Sequence, residues 1–402
     1  MAIHVRHPMW LEAVARPGIG AFAMLFAIES FARAILVTVI PLQAYAALQS
    51  SRSVSLMFTC VGIAGLTGSL FIPFLIRLIP RRWVYTLGAL GLVAAAALFA
   101  LDGPGGLLAG LMTRVLAVAC LNITLNLYIM DIIIRRGDFV RSEPFRLAVS
   151  GAAWTLCPAL GVYLYGQFGA IAADGLSAAA ALLLLAAFWT IRLSDNPAIA
   201  AARPGTALPN PVRSIGRFMA QPRLRLGWLI AFGRSSWWAQ FFTFTPLYLV
   251  IAGHSDLVSA AVISLGNAML FLTVLIGRFA ERVGVRRVIV GAYLLTGVSM
   301  LAAAALAVAG WSVAVAGMLL LAGVCVSGLD AVGNIPFLRA VRARERAEMT
   351  TVFRTYIDLS ELLPSALFAV LLTFFGLESV FATTGLAMLA IGLVARYLPR
   401  AL

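Results

Sequence analysis

Lysine is absent from this sequence, and charged residues of all kinds are few: they make up 11% of the 402 residues. Soluble globular domains carry about 25% charged residues. A chain with so little charge, 62% hydrophobic residues and a mean hydropathy of +0.98 is therefore an integral membrane protein. Arginine without lysine, together with abundant alanine, is typical of GC-rich bacterial genomes. We therefore predict a multi-pass protein of a bacterial cytoplasmic (inner) membrane.

Cysteine and histidine are scarce too, and neither type is clustered. The four cysteines stand singly in apolar runs, at Cys60, Cys120, Cys157 and Cys325. Isolated cysteines of this kind are typical of small core residues. The three histidines lie near the N-terminus or in a loop, so the sequence predicts no metal site and no cofactor. A glycine-rich nucleotide loop is also missing, which argues against ATP-driven pumping.

Long apolar runs account for most of the chain. A transmembrane helix needs ~20 apolar residues, and on this measure we predict twelve spans in an all-α membrane protein. They cover residues 18–45, 54–76, 83–101, 105–130, 145–167, 169–191, 226–251, 257–277, 288–309, 312–336, 349–375 and 377–397. The first run is far longer than the apolar part of a signal peptide and carries Glu29 and Arg33, so we predict an uncleaved span.

The arginines are distributed unequally between the two predicted membrane sides. Twenty-four lie in the termini and loops of one side, whereas the other side has only Arg52. Because cytoplasmic loops are rich in basic residues, this distribution predicts that both termini are cytoplasmic. It also accounts for the net charge of +14 without a nucleic-acid partner. The longest loop, 193–225, separates a predicted six-helix bundle in 1–192 from a second in 226–402, and no loop is long enough to form a soluble domain.

The two predicted halves repeat one another. At an offset of 205, Pro41 matches Pro246 and Arg81-Arg82 matches Arg286-Arg287, and at 208, Asn126 matches Asn334 and Phe145-Arg146 matches Phe353-Arg354. The same offsets align Glu29 with Arg234 and Asn122 with Asp330. Two parallel repeats of six spans are the plan of one large class of secondary transporters.

The loop between spans 8 and 9 carries a patterned motif, Gly277-Arg-Phe-Ala-Glu281-Arg282-Val-Gly284-Val-Arg286-Arg287. Its glycines allow a tight turn between helices, and its acid can cap a helix N-terminus or meet an arginine. The motif resembles the signature of the major facilitator superfamily. The resemblance implies that Glu281 helps to close the cytoplasmic side, against the start of span 11, Arg344 or Arg346. An arginine-rich turn alone would explain the bases but not Glu281 and the glycines.

Other segments resemble the same family less closely. In the first-half copy of the motif, Ile76 stands in place of the acid. Arg114 in span 4 resembles a buried arginine that the family links to proton coupling. Span 5 has Gly151 and then Pro158-Ala-Leu-Gly161, which resembles the glycine–proline motif of family antiporters, with Cys157 in place of its central glycine.

Span 11 carries the most unusual set of charges, Arg354, Asp358 and Glu361. At ~100° per residue they fall within an arc of roughly 60° over ~10 Å of helix rise. A bare charge near the bilayer centre costs at least ~2.5–3.5 kcal/mol, so this face must contact other protein or a water-filled cavity. A polar transport pathway is one interpretation, and a structural ion pair is the other.

The charges that we find at depth in the membrane all fall on spans 1, 4, 5, 7, 10 and 11. These are the six spans that line the cavity in the resembled family. The candidate substrate or proton pathway comprises Glu29, Arg33, Arg114, Asn122, Asn126, Arg146, Arg234, Trp238, Gln240, Asp330, Asn334, Arg354, Asp358 and Glu361. Span 7 also presents a run of aromatic residues, which suits an amphipathic solute but is equally typical of packing or lipid-facing surfaces.

These observations favour a monomeric secondary transporter of a small organic solute, driven by protons. Export by antiport is slightly favoured over uptake of a sugar or organic anion by symport, and a lipid or lysolipid flippase on the same fold stays open. A membrane enzyme, such as a lipid-linked transferase, is disfavoured because the outward loops lack catalytic groups. A carboxylate beside a cation stays charged, so Glu361 is the expected proton carrier if Arg354 neutralises Asp358 and Arg33 neutralises Glu29.

Overall fold

The computed structural model describes residues 19–101, 103–136, 139–191, 211–342 and 345–399, and within these ranges every regular element is helical. Nine helices there are long and apolar enough to cross a membrane. They coincide with predicted spans 1–4, 6, 8–10 and 12. The three other predicted spans coincide with the helices Phe139–Phe168, Pro222–Ile251 and Thr355–Leu371. The all-α membrane fold is thus confirmed, and the number twelve stays a prediction.

Seventeen α-helices are found in the described part of the chain. In order they are α1 Ile19–Ala34, α2 Val39–Leu48, α3 Ser51–Leu78, α4 Arg81–Phe99, α5 Pro104–Arg136, α6 Phe139–Phe168, α7 Ala170–Thr190, α8 Pro211–Met219, α9 Pro222–Ile251, α10 Asp256–Ala268, α11 Thr273–Val283, α12 Val285–Val308, α13 Ser312–Val332, α14 Ile335–Ala340, α15 Arg346–Phe353, α16 Thr355–Leu371 and α17 Glu378–Val394.

Several predicted spans are broken helices, and proline explains two of the breaks. Proline lacks an N–H and its ring clashes with the carbonyl four residues earlier. Pro41 therefore disrupts the helix at Val37, in the turn that separates α1 from α2. Pro336 does the same at Val332, the last residue of α13. Broken helices expose backbone polar groups within the membrane, and such groups need protein partners or water.

In the described part of the chain, the two halves meet mainly along three pairs of helices. α3 packs against α16, α6 against α10, and α2 against α9. Ser55 Oγ donates to the Ser365 carbonyl at 2.7 Å across the first pair, and the Ala159 N–H donates to Ser264 Oγ at 3.3 Å across the second. A Cβ on Gly62 would lie 2.9 Å from the Leu362 Cα, so α3 and α16 approach closely at a small residue.

The predicted linker 193–225 is partly helical. Residues 192–210 lie outside the described part, but α8 follows and packs against α9 and α15. Phe218 of α8 is 1% exposed, in a cluster with Phe337, Met349 and Phe353. From Pro211 onward the connection is therefore docked on the second half. The bounds of the two bundles stay a prediction.

The orientation of the helices can be tested with reporter fusions. Gly253 lies in the exposed turn after α9, where its φ of +87° favours glycine. Pro204 lies outside the described residues. The arginine distribution predicts that a reporter at Gly253 is outside the cell and that one at Pro204 is in the cytoplasm. An alkaline phosphatase fusion should be active only at Gly253, and activity at both positions would contradict the predicted topology.

Candidate functional site

Glu29 and Arg33 form an ion pair inside the first half. Glu29 is 1% exposed, and Arg33 Nη1 lies 3.4 Å from its Oε1. Asn122 of α5 bridges the two, with its amide nitrogen donating to Glu29 Oε1 and its amide oxygen accepting from Arg33 Nη1, each at 3.3 Å. Because Asn122 bonds both members of the pair from a second helix, the burial of the pair is compatible with a stable fold.

Arg114 caps the break in the first span. The N–H of Val37 bonds the Ala34 carbonyl at 3.2 Å, which releases the Arg33 carbonyl from its usual helical partner. Arg114 Nη2 donates to that carbonyl at 2.8 Å. Ser177 Oγ donates to the neighbouring Ala32 carbonyl at 2.7 Å. Arg114 thus has a structural role in satisfying a broken helix, whatever part it plays in transport.

The second half contains a matching charged cluster. Arg234 Nε of α9 lies 3.2 Å from Asp330 Oδ1 of α13. Trp238 Nε1 donates to the other carboxylate oxygen of Asp330 at 2.9 Å, and Arg234 Nη2 donates to the Tyr356 hydroxyl at 3.2 Å. The Arg234 guanidinium also lies 5.8 Å from the centre of the Tyr356 ring. The side chain of Arg234 is 9% exposed and that of Asp330 is 22% exposed, so the acid is the more accessible partner.

The two clusters occupy equivalent positions in the sequence repeat. Glu29 aligns with Arg234, and Asn122 aligns with Asp330. In each half, the residue on the first span contacts the aligned residue on the fourth span: Glu29 meets Asn122, and Arg234 meets Asp330. The repeat therefore predicts a spatial relationship that the structure contains. The charge on the first-span position is reversed between the halves, so the clusters are equivalent in place but not in chemistry.

Aromatic side chains connect one cluster to the other across the two halves. The Arg33 guanidinium lies 5.7 Å from the Trp154 ring centre. Trp154 of α6 lies 5.6 Å from Phe242 of α9, which stacks on Trp238 at 5.5 Å. Trp238 bonds Asp330, so the three rings form a continuous aromatic strip (Trp154, Phe242 and Trp238) with a charged cluster at each end. All three rings are half-buried and can therefore contact a ligand.

The acids of span 11 have different surroundings from those expected. Ser69 Oγ of α3 donates to Asp358 Oδ1 at 3.1 Å, and no ion pair within 4 Å joins Asp358 to Arg354 among the described residues. The side chain of Arg354 is exposed. The helix is interrupted at this residue, and Asp358 therefore lies in the first turn of α16. A helix N-terminus favours a carboxylate there. Asp358 is thus hydrogen-bonded to α3, and its interaction with Arg354 is not a close ion pair.

Glu361 lies between two packed faces of α16. Asp358 and Ser365 bond α3, whereas Ser360 and Phe368 contact α9. At 100° per residue, Glu361 falls in the sector between these faces, toward the space between the halves. Its side chain is accessible at the helix surface, and no ion pair within 4 Å joins it to an arginine in the described part of the chain. Arg33 and Asp358 are the charged groups that act on it.

Four candidate residues of the pathway remain, and the structure describes the side chains of two of them. Gln240 is 1% exposed, so it does not line an accessible space, and Asn334 is exposed at the break before α14. The side chains of Asn126 and Arg146 lie outside the described part of the structure.

Sequence reasoning missed several polar and aromatic contacts. Trp154, Tyr356 and Ser69 all contact candidate residues from other helices. Asp174, one turn into α7, is 2% exposed and is bonded by Gln43 Nε2 at 3.5 Å. Its position within the first turns of predicted span 6 was the available signal that this span also buries a charge.

The patterned motif forms the turn between α11 and α12. Gly284 has a φ of +100°, which explains the glycine there. Arg287 Nη1 donates to the Val283 carbonyl at the end of α11 at 3.3 Å, and Arg286 Nη2 donates to the Arg396 carbonyl. Glu281 is exposed, and of its expected partners Arg344 lies outside the described residues and the side chain of Arg346 is not described.

Replacing Glu281 with glutamine should weaken closure of the cytoplasmic side. If the acid holds that side shut, its loss should slow transport and raise the reactivity of a cavity cysteine toward a cytoplasmic thiol reagent. Glu378→Gln, at the other end of the bundle, is the control and should leave that reactivity unchanged. Equal reactivity in Glu281→Gln and the unaltered protein would mean that the motif is only a positively charged turn and that Glu281 does not close the cytoplasmic side.

A family model identifies the family of this chain. A family model described as Major Facilitator Superfamily matches residues 22–273 and 260–401. The chain belongs to the major facilitator superfamily. No curated protein sequence matches it.

Solved structures with the same fold are transporters of several kinds. A POT family transporter in complex with 5-aminolevulinic acid aligns with a TM-score of 0.75 at 12% identity, covering 94% of this chain and 95% of that one. The nucleoside transporter NupG aligns at 0.69 and 13% identity, covering 94% and 98%. A bacterial homologue of the iron transporter ferroportin in an inward-facing state aligns at 0.68 and 14% identity, covering 94% and 97%. At these identities the likeness establishes the major facilitator fold alone.

Proposed function

We propose that this major facilitator protein is a proton-coupled secondary transporter of a small organic solute that carries both an aromatic or apolar body and charged or polar groups. The observation that supports this most directly is the aromatic strip between the two charged clusters. Trp154 belongs to the first half, whereas Phe242 and Trp238 belong to the second. A ligand stacked on the strip would contact both halves at once, which alternating access requires of a substrate site.

The chemistry of the clusters supports a substrate with a polar group at each end. Arg33 is partly exposed beside Trp154 and could pair with an anionic group. Asp330 is the accessible partner at the other end and could accept from an amine or hydroxyl group. The solved neighbours include a nucleoside transporter and a POT family transporter in complex with 5-aminolevulinic acid, a molecule with a carboxylate at one end and an amine at the other. Export by antiport remains the favoured direction in this proposal because of the span-5 resemblance.

Proton coupling is assigned to Glu361 in this proposal. Glu29 has Arg33 beside it and Asp330 has Arg234, whereas Glu361 has no such partner among the described residues. A carboxylate that is accessible and unpaired can gain and lose a proton without breaking an ion pair. Asp358, bonded by Ser69, is assigned to positioning α16 against α3.

Glu361→Gln should abolish proton-driven accumulation or extrusion but leave substrate binding and energy-independent exchange. Ligands would first be found by thermal stabilisation of the purified protein, and proton flux would then be followed in proteoliposomes. Asp358→Asn is the matched control, because an amide oxygen can still accept from Ser69. It should retain coupled transport. Uphill transport with normal pH dependence in Glu361→Gln would contradict the assignment and make Glu29 or Asp330 the next candidate.

A further inference from the structure

A groove of about 340 Å³ lies between α3 and α16, at the end of the bundle that the arginine distribution assigns to the outside. Leu56 on one wall and Val370 and Phe374 on the other are 46%, 59% and 75% exposed, so the groove opens on the surface that faces lipid. It spans the contact between the two halves and is separate from the aromatic strip.

The walls of the groove are hydrocarbon. Thr59 and Thr373 contribute hydroxyls, but each is turned back onto its own helix, donating to the Ser55 carbonyl at 2.8 Å and to the Ala369 carbonyl at 3.0 Å. Ala366 is a small residue in the lining, which leaves room for an occupant. A cleft of this size and polarity suits an alkyl chain.

Arg52 supplies a positive charge at the outer end of the groove. It lies with Leu56 and Thr59 at i, i+4 and i+7, on one face of α3 and over ~10 Å of helix rise. Its side chain is exposed and pairs with no acid among the described residues. It is also the one arginine that the sequence places on the outer side. A cation above an apolar cleft matches a lipid with an anionic headgroup above its acyl chain.

We propose that this groove binds an acyl chain of an anionic phospholipid from the outer leaflet, with the lipid phosphate paired to Arg52. Arginine recognises phosphate through charge-assisted hydrogen bonds. Because the walls come from both halves, a bound lipid would stabilise their contact along α3 and α16. This proposal does not depend on the transport function or on the choice of proton carrier.

The proposal can be tested by native mass spectrometry of the purified protein with equal amounts of phosphatidylglycerol and phosphatidylcholine. The unaltered protein should retain one phosphatidylglycerol per chain in preference to phosphatidylcholine. Removing one arginine–lipid interaction should lower that preference about five-fold in Arg52→Gln, and Arg52→Lys should keep most of it. Ala366→Phe fills the groove and should lower retention of both lipids.

Two control variants and a second assay make the test decisive. Arg223→Gln, an exposed arginine at the opposite end, and Ala305→Phe, an exposed alanine on α12, should retain phosphatidylglycerol as the unaltered protein does. Unchanged retention in both Arg52→Gln and Ala366→Phe would overturn the proposal, as would equal retention of the two lipids. Protein-dependent flipping of labelled phosphatidylglycerol in vesicles would also overturn it, because the groove would then serve a transported lipid. Thermal unfolding in lipid-free detergent should be unchanged in all variants.

Discussion

Replacing Gly161 with alanine is expected to destabilise the protein severely. A Cβ at this position would overlap the Ile35 carbonyl oxygen and lie 2.9 Å from the carbonyl carbon. Both atoms are backbone, so α6 would have to move away from the break in the first span. Overpacking of a well-packed interior typically lowers stability by about 1–3 kcal/mol. Because the overlap here is with backbone, we expect a loss of roughly 3 kcal/mol or more. The higher helix propensity of alanine would return at most ~1 kcal/mol.

Gly166→Ala is the matched control, because it lies on the same helix and an added Cβ there would meet no atom within 4 Å. It should leave the apparent Tm in detergent unchanged or slightly higher. Fluorescence-detected size-exclusion chromatography and thermal unfolding would measure both variants. If Gly161→Ala behaves like Gly166→Ala, the close approach of α6 to the first span is wrong.

The positions of the helices could be predicted from the sequence because apolar length is a strong signal for membrane spans. The breaks within them could not, because Pro246 and Pro364 lie inside unbroken helices whereas Pro41 and Pro336 coincide with breaks. Pro41 and Pro336 each remove a helical hydrogen bond, but the apolar runs continue through both prolines, so hydropathy alone treats each span as continuous. The interruption at Arg354 has no proline to mark it. Its consequence, that Asp358 starts a helix, was not predictable from the spacing of the charges.

The contacts of the site that follow the sequence repeat were predictable, whereas the contacts between side chains of different helices that depend on packing were not. The sequence repeat aligns Glu29 with Arg234 and Asn122 with Asp330. In the structure Glu29 contacts Asn122, and Arg234 contacts Asp330 in the same way. Helical periodicity gives the direction of a side chain but not its neighbour on another helix. The contact of Ser69 with Asp358 joins residues 289 positions apart, so only the folded chain brings them together.

Asp330→Asn is expected to destabilise the second half, because it leaves Arg234 without a counter-charge. Removing one partner of a fully buried ion pair costs about 3–5 kcal/mol. The Asp330 side chain is 22% exposed, so water can partly compensate, and we expect about 2–3 kcal/mol here. Arg234→Gln should cost less, because Asp330 keeps its hydrogen bond from Trp238 and its contact with solvent.

The double variant decides whether the two residues act as a pair. With both charges removed, Arg234→Gln with Asp330→Asn should be more stable than Asp330→Asn alone, since no unpaired guanidinium remains buried. Thermal unfolding of the purified variants in one detergent would measure this, with Glu378→Gln, a half-buried acid outside the cluster, as a control that leaves the apparent Tm unchanged. If the losses from the two single variants simply add in the double variant, Arg234 and Asp330 are not coupled. The cluster would then be two separate polar residues, and the equivalence of the halves would be limited to their backbone.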